Sequence, residues 1–313
     1  MQPNEPTRRR GAGVEAGPPG APLAPERELF LAFTRDGRSL IDVTWQQHVL
    51  HENRRWSATE FIERIDLAQL TEADRGHVWN AGKAELTTKP GADRLARQFD
   101  AECRRHLESN PTVAKIMQAC GTWSRYWNEE EAFHEATLNR LSTLLGLEPI
   151  SDDTFIEYRK LFPDDDALRT LMLLAISEIT AAVNYAQCAR HASDPGLKAL
   201  LKQIGADEIQ HMNYFVSFAK ALVDSGVYPP KGALAVAVFF LREGGDLQGA
   251  HRDRIEERGT HVNWWDHIEF DAIGAVDALG KKEALVFNAV ERVTGVRVSS
   301  LTELEDAWMD MLS

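Results

Sequence analysis

The stretch GTWSRYWNEEEAFHEATL, residues 121–138, holds a glutamate and a histidine three positions apart within an apolar helical pattern. Glu131 and His134 fall on one helix face, because residues three apart are neighbours on a helix surface. The same face carries Trp127 and Leu138, so the two polar side chains interrupt a stripe of apolar residues. A carboxylate in such a stripe is unfavourable unless it is paired or binds a metal. The pattern therefore predicts that Glu131 and His134 are metal ligands.

A second pair with the same spacing lies in GADEIQHMNYF, residues 205–215, where Glu208 and His211 also stand among apolar residues. One such pair is weak evidence in a chain with ten histidines. Two mid-helix pairs indicate one site, to which each of two helices contributes a carboxylate and an imidazole. In contrast, we expect Glu129 and Glu130 to lie on a solvated helix face.

The wider pattern is helical almost throughout. From about Leu67 onward, apolar residues recur at three- and four-residue spacing, and no alternating strand pattern persists. The sequence therefore predicts an all-α protein. Its helices are expected at about 70–107 (disturbed at Lys89-Pro90-Gly91), 111–145, 167–192, 196–224, 232–242, 264–279 and 301–312.

Two further glutamates complete the predicted ligand set. Carboxylate-bridged two-metal sites in four-helix bundles take one more glutamate from each of two other helices. When two antiparallel helices present ligands at the same height, the turn between them falls near the midpoint of the two ligand positions. For Glu208 the candidate is Glu178, the sole acidic residue of LMLLAISEITAAVNYA, and the midpoint lies in the turn Ser193-Asp194-Pro195-Gly196.

The partner of Glu131 is chosen by the same test. Glu85 places the midpoint at the turn that begins with Glu108 and ends with Pro111. Glu102, or Asp100, would require a turn within TVAKIMQAC, which has no turn signal. Glu85 is therefore the predicted ligand, and Glu102 stays open as the alternative.

Charge and cysteine content narrow the functional classes. The net charge is −13, from 35 basic and 48 acidic residues, which disfavours nucleic acid as the main partner. Cys103, Cys120 and Cys188 form no CxxC motif, and this usage fits a reducing cytoplasm. We find no run close to the roughly 18 apolar residues of a membrane span.

The amino-terminal residues differ from the rest of the chain. Residues 1–26 are rich in Pro, Gly and Arg and poor in large apolar side chains, so we expect a disordered tail. Residues 27–313 are expected to form one domain. In that domain a metal-binding bundle covers about 66–225, and a helical extension covers about 226–313.

These motifs resemble the soluble acyl-carrier-protein desaturases, which are ferritin-like di-iron proteins. The likeness covers roughly residues 56–225 and is strongest in GTWSRYWNEEEAFHEATL and in SEITAAVNYAQCARHASDP…GADEIQHMNYF. It implies a ferritin-like four-helix bundle with additional N- and C-terminal helices. A weaker likeness in RRWSATEFI implies that Trp56, together with Asp207, orients the metal-bound His134.

The resemblance also implies an activity. It suggests two iron ions, O₂ as co-substrate, and attack on an unactivated C–H bond of an acyl substrate, free or bound to a carrier protein. It further implies a homodimer that receives electrons from a ferredoxin-type donor, and the cysteine usage above predicts a cytoplasmic location. The chain departs from the family at Phe133, where arginine is usual, and at Ala181, where threonine is usual. Desaturation and hydroxylation therefore both stay open.

Two other functions are compatible with the same ligands. One is a di-iron N-oxygenase of an amine, which would be expected to carry an extra histidine near Glu178; His191 is too far along the same helix. The other is a non-catalytic, ferritin-like iron-binding protein. Four arginines are interpreted as free surface charge, and docking of a carrier protein is the alternative role. They are Arg54, Arg55, Arg104 and Arg105.

Overall fold

The computed structural model describes residues 45, 48–49, 51–85, 88–149, 166–242 and 272–312. Within these ranges the protein is helical and has no strand, as predicted. The expected disordered tail, residues 1–26, lies outside them. The helices referred to below are α1 (Ala58–Glu63), α2 (Glu72–Glu85), α3 (Thr88–His106), α4 (Pro111–Leu144), α5 (Ala167–His191), α6 (Pro195–Asp224), α7 (Lys231–Arg242), α8 (Ala272–Thr294) and α9 (Leu301–Asp310).

The ends of the central helices follow from capping residues. The Asn110 side chain accepts a hydrogen bond from the backbone N–H of Val113 and begins α4, with Pro111 at the first helical position. Asp166 and Asp194 cap α5 and α6 in the same manner. These boundaries agree with the predictions to within one or two residues.

Two predicted helices need correction. The expected continuous helix over 70–107 is two helices, α2 and α3. Pro90 falls in the first turn of α3, where a backbone N–H has no intrahelical partner to lose. The helix expected to end at 279 continues to Thr294, and Gly295, with φ of 79°, follows it. Its last turns are held by core packing of Val286 and Val290, which outweighs the roughly 1 kcal/mol penalty of Gly280.

The helices that carry the predicted ligands pack together. Both α2 and α3 lie along α4, α5 packs against α6, and α4 contacts α6. The carboxyl-terminal helices α7, α8 and α9 cover α5 and α6 or one another. Helix α5 is long and apolar enough to cross a membrane, but most of its apolar window is buried inside the protein, as in a core helix.

Buried apolar side chains form two separate clusters, and the predicted ligands of α4 and α6 fall between them along the chain. On α4 the first cluster ends at Trp127 and the second begins at Leu138, with Glu131 and His134 between. On α6 the corresponding gap is between Ile204 and Met212, and it contains Glu208 and His211. The core therefore contains a polar layer between two apolar layers.

The segment before α2 is fixed against the start of α6. A Cβ atom on Gly196 would lie 2.4 Å from the backbone oxygen of Arg64, so only glycine permits this close approach. Helix α1 consequently packs on α6 and α4. This contact holds Trp56, just before α1, close to the polar layer.

Candidate metal centre

All six predicted ligands are buried and meet in one place. Two overlapping groups each offer ligand atoms that lie within 4.8 Å of one another. The groups are Glu85, Glu131, His134 and Glu208, and Glu131, Glu178, Glu208 and His211. Each group has its own histidine and its own further glutamate, and the two groups share Glu131 and Glu208.

The structure brings Glu85, rather than Glu102, into the polar layer. The Glu102 carboxylate pairs with Arg105 and accepts a hydrogen bond from Tyr228 at 3.2 Å. Asp100 pairs with Arg104 on the exposed face of the same helix, α3. Glu85, at the last position of α2, lies in one group with Glu131, as the turn-midpoint argument predicted.

The arrangement fits a metal ion chemically. His134 Nδ1 and Glu208 Oε1 lie 3.4 Å apart, and neither buried atom has a hydrogen-bond partner among the described residues. Such unsatisfied buried atoms are rare in proteins and require a reason. Four buried glutamates also stand close together with two imidazoles as their counterparts. Because a cation would satisfy the free atoms and offset the carboxylate repulsion, these residues could hold a metal ion.

The pKa values of Glu85 and Glu178 are shifted in the opposite direction to that of Glu131. Burial raises the pKa of Glu85 and of Glu178 well above the usual value, and the neighbouring carboxylates Glu131 and Glu208 raise it further. Burial also acts to raise the pKa of Glu131, but His211 and His134 outweigh it and hold that pKa well below the usual value. Burial and neighbouring charges therefore shift the pKa values of these adjacent carboxyl groups in opposite directions.

The histidines give the metal-free protein a pH dependence. Burial lowers the pKa of His134 and of His211, but the surrounding carboxylates outweigh it and raise both above 6.5. The folded state then keeps protons that the unfolded chain releases. This stabilisation is fully present below pH 6.5 and is lost as the pH rises through the raised pKa values. The raised pKa values of Glu85 and Glu178 also make the folded state less stable as the pH rises above 4.5.

We therefore expect the urea midpoint of chelator-treated protein to fall as the pH rises from about 6.5 to about 9. The measurement is equilibrium unfolding at several pH values, with metal-loaded protein as the control, since metal-bound imidazoles are already deprotonated. A midpoint that rises over this range in the metal-free protein would contradict the argument.

The outer nitrogen of His134 is held by the residues that the resemblance implied. His134 Nε2 lies 3.2 Å from Asp207 Oδ2, and Trp56 Nε1 donates to the same oxygen at 2.8 Å. The Trp56 ring stacks beside the imidazole, with centroids 6.2 Å apart. These contacts direct Nδ1 of His134 toward the other ligand atoms, which is the usual effect of an outer carboxylate on a metal-binding histidine.

Glu130 does not lie on a solvated face, which corrects the prediction. Its side chain is 14% exposed, and its Oε2 lies 2.7 Å from His211 Nε2. Burial acts to raise the pKa of Glu130, but hydrogen bonds with His211 and His51 lower it overall. Glu130 therefore holds the Nε2 atom of His211, as Asp207 holds the Nε2 atom of His134. The neighbouring Glu129 is exposed, as expected.

Arg54 joins the outer partners of both histidines, so it is not free surface charge. Its Nη2 lies 3.1 Å from Asp207 Oδ1 and 3.2 Å from Glu130 Oε2, and its side chain is 12% exposed. Arg55, in contrast, is largely exposed and contacts Glu129. A surface cleft of about 350 Å³ lies over these residues and reaches His134.

His51 was not among the predicted site residues, yet its Nδ1 lies 2.8 Å from Glu130 Oε1. Residues 51–54 are helical, so His51 and Arg54, three apart, share one face that points to the polar layer. The three-residue spacing of His51 and Arg54 was the available signal in the sequence. It indicates a contact with the polar layer only when the segment is known to pack against α4 and α6.

Two aromatic side chains donate hydrogen bonds directly to glutamates of the polar layer. Trp127 Nε1 donates to Glu131 Oε1 at 2.8 Å. The hydroxyl of Tyr185, on α5, donates to Glu85 Oε1. Trp127 packs within the apolar core with the edge of Phe215 against it. Each contact fixes one carboxylate oxygen and leaves the other oxygen of that glutamate for a metal.

Within its described ranges, the chain is thus an all-helical protein whose core contains a glutamate–histidine layer that could hold a metal ion. No family model, no curated protein and no solved structure matches it.

Proposed function

We propose that the protein is an O₂-dependent, non-heme di-iron oxidoreductase built on a ferritin-like four-helix bundle. The observation that carries the proposal is the pair of overlapping ligand groups that share Glu131 and Glu208. A glutamate from each of two helices and a Glu-x-x-His pair from each of two others form the ligand set of carboxylate-bridged di-iron bundles. Mixed carboxylate and imidazole donors also suit iron.

The shared glutamates divide the ligands between two positions. Glu85 and His134 would hold one iron, Glu178 and His211 would hold the other, and both shared glutamates would contact each ion. When bound, the iron pair supplies electrons to O₂ and gives an oxidant able to attack an unactivated C–H bond. The protein positions the ligands and, through the apolar layers on either side, keeps bulk water from the reacting atoms.

The proposed substrate is an acyl chain, free or bound to an acyl carrier protein. The resemblance supports this class, and the position of the site within an apolar core suits a long hydrocarbon. The same resemblance supports a homodimer that takes electrons from a ferredoxin-type protein, and the cysteine usage supports a cytoplasmic location. Desaturation and hydroxylation begin with the same hydrogen abstraction, so product analysis decides between them.

No observation favours the N-oxygenase alternative over C–H oxidation. That activity is expected to use an additional histidine near Glu178. Among the described residues, the ligand groups contain His134 and His211 alone, and His191 is exposed at the end of α5. A turnover assay distinguishes the proposed oxidoreductase from an iron-storage protein, since a storage protein oxidises iron without converting an organic substrate.

The first test is iron content after anaerobic loading with Fe(II). We expect about two irons per chain in the wild type and a clear loss in Glu208→Ala, because this residue belongs to both positions. Glu102→Ala is the matched control: it removes a largely buried glutamate outside the polar layer and should leave two irons. Less than one iron in the wild type would refute the di-iron proposal. Loaded protein is then assayed with O₂ and with acyl and amine substrates.

A further inference from the structure

A chain of side-chain oxygen and nitrogen atoms runs from the protein surface to the polar layer. It begins at Glu129 on α4, whose side chain is 58% exposed. Glu129 Oε2 lies 3.1 Å from Nε2 of His51, and His51 Nδ1 lies 2.8 Å from Oε1 of Glu130. Glu130 Oε2 in turn lies 2.7 Å from Nε2 of His211. Carboxylate and imidazole groups therefore alternate from solvent to a predicted ligand.

The first three members of this chain line the surface cleft of about 350 Å³. Exposure falls sharply after Glu129, since the side chain of His51 is only 6% exposed. Tyr126 packs against the His51 imidazole, with ring centroids 4.9 Å apart, and helps to hold it in place. Arg54 contacts Oε2 of Glu130, so Oε1 is available to His51. The cleft wall thus leads inward along groups that are fixed by packing and hydrogen bonds.

A metal ion that reaches the polar layer must exchange its hydration water for protein donors. Along the bundle, apolar clusters lie on both sides of the layer, and an ion that enters them loses hydration without replacement. Carboxylate oxygen and imidazole nitrogen atoms are donors that suit ferrous iron. Such donors, spaced a few ångströms apart, can replace the water molecules of an ion one at a time. The cleft wall offers these donors, whereas the apolar clusters do not.

We propose that Glu129 and His51 form the entry route for the metal ions of this site, an inference that rests on the proposed di-iron function. Glu129 captures a divalent cation at the mouth of the cleft, and His51 and Glu130 transfer it inward by exchange of donors. Only coordination bonds change, and no electron is transferred. Glu129 belongs to neither ligand group, so it affects the rate of metal binding and not the final affinity.

Arg55 affects the rate in the opposite direction. Its Nη2 lies 3.3 Å from Oε2 of Glu129, the same oxygen that faces His51. The guanidinium therefore repels an arriving cation and competes with it for this oxygen. Glu60 supplies a matched control, because it is also an exposed glutamate paired with an arginine, Arg64, but lies on α1 and does not line the cleft.

The test follows anaerobic Fe(II) binding to the full-length protein at low ionic strength, by stopped-flow quenching of tryptophan fluorescence. We expect binding at least about fivefold slower in Glu129→Gln and about twofold faster in Arg55→Gln, because local charge controls the capture of an ion. Glu60→Gln should bind at the wild-type rate. Since exit uses the same route, extraction by a chelator should slow in Glu129→Gln by the same factor as binding. Its affinity and final iron content should equal those of the wild type.

His51→Leu tests the next donor of the route. The substitution removes both imidazole nitrogens and keeps an apolar contact with Tyr126. Binding and release should each slow at least about fivefold, at low and at high salt, because salt screens charge steering and does not replace a coordinating group. Faster release without slower binding is the result expected if His51 only supports Glu130, and it would overturn the inference. A wild-type rate of binding would do the same.

Three results with Glu129→Gln would overturn the inference and leave the proposed function intact. They are wild-type rates of binding and release, slowing equal to that of Glu60→Gln, and a lower final iron content. The second result would assign the effect to the net charge of the protein, and the third would make Glu129 part of the metal site. Fewer than one iron per wild-type chain, in contrast, refutes the proposed function and this inference together.

Discussion

Replacing Glu178 by glutamine is expected to stabilise the metal-free protein by about 1 kcal/mol or more while removing one metal position. Glu178 is buried beside two other carboxylates, and burial and their charge raise its pKa. His211 does not depend on it, because its Nδ1 lies 3.9 Å from Glu178 Oε2 but 2.9 Å from Glu131 Oε1. The substitution therefore removes repulsion without leaving a histidine unpaired.

Glu131→Gln should change stability in the opposite direction. Glu131 is the ionised partner of His134 and His211 in the metal-free protein, and its pKa is lowered overall by them although burial opposes this. Removing it leaves two buried cations with fewer partners and is expected to destabilise the protein by about 3 kcal/mol. Both variants should lose iron.

The measurement is denaturant unfolding of both variants and the wild type with a chelator, together with iron content after loading. Opposite signs for the two stability changes, with iron lost in both variants, support a site in which Glu178 serves metal binding alone and Glu131 also stabilises the metal-free fold. Destabilisation by both substitutions, to a similar extent, would contradict this assignment.

Arg54→Gln is expected to weaken both metal positions, each by about 10–100-fold in affinity. Arg54 contacts Asp207, which holds His134, and Glu130, which holds His211. Without the guanidinium, the two carboxylates lose their shared counter-charge and fix the imidazoles less firmly. Substitution of this one residue, which binds no metal itself, should therefore weaken the binding of both irons.

Arg55→Gln is the matched control, because Arg55 is adjacent in sequence, carries the same charge and is largely exposed. Competition titrations against a chelator should show a two-site loss for Arg54→Gln and wild-type affinity for Arg55→Gln. Equal behaviour of both variants would restore the interpretation of Arg54 as surface charge. A loss confined to one iron would exclude its joint action on both histidines.

The predicted ligand set was accessible from the sequence because the spacing of two residues along a helix determines whether their side chains point in the same direction. A glutamate and a histidine three residues apart must share a helix face, and the turn midpoint distinguishes Glu85 from Glu102 without knowledge of packing. The all-helical fold was predictable for the same reason. Capping residues such as Asn110 and Asp166 mark helix ends that a local pattern can identify.

The outer partners could not be predicted in this way. Glu130 is adjacent to Glu131 and looks like surface charge until the segment with His51 and Arg54 is placed against it. That placement depends on tertiary contacts, including the one at Gly196, which has no periodic signature. Tyr185 was not predicted for another reason: a phenol is not one of the carboxylate and imidazole groups that define the metal-binding pattern, although position 185 shares a helix face with Glu178.

The bond between Trp56 and Asp207 joins residues 151 positions apart in the chain. Closing so long a loop is entropically unfavourable, and contacts of this kind tend to form after local helices and hairpins have assembled. The bare ligand cluster would then exist earlier in folding than its outer support. Iron captured at that early stage should exchange quickly, and slow exchange should begin only when the amino-terminal segment docks. The rate at which iron becomes inert to a chelator thus reports the last step of folding.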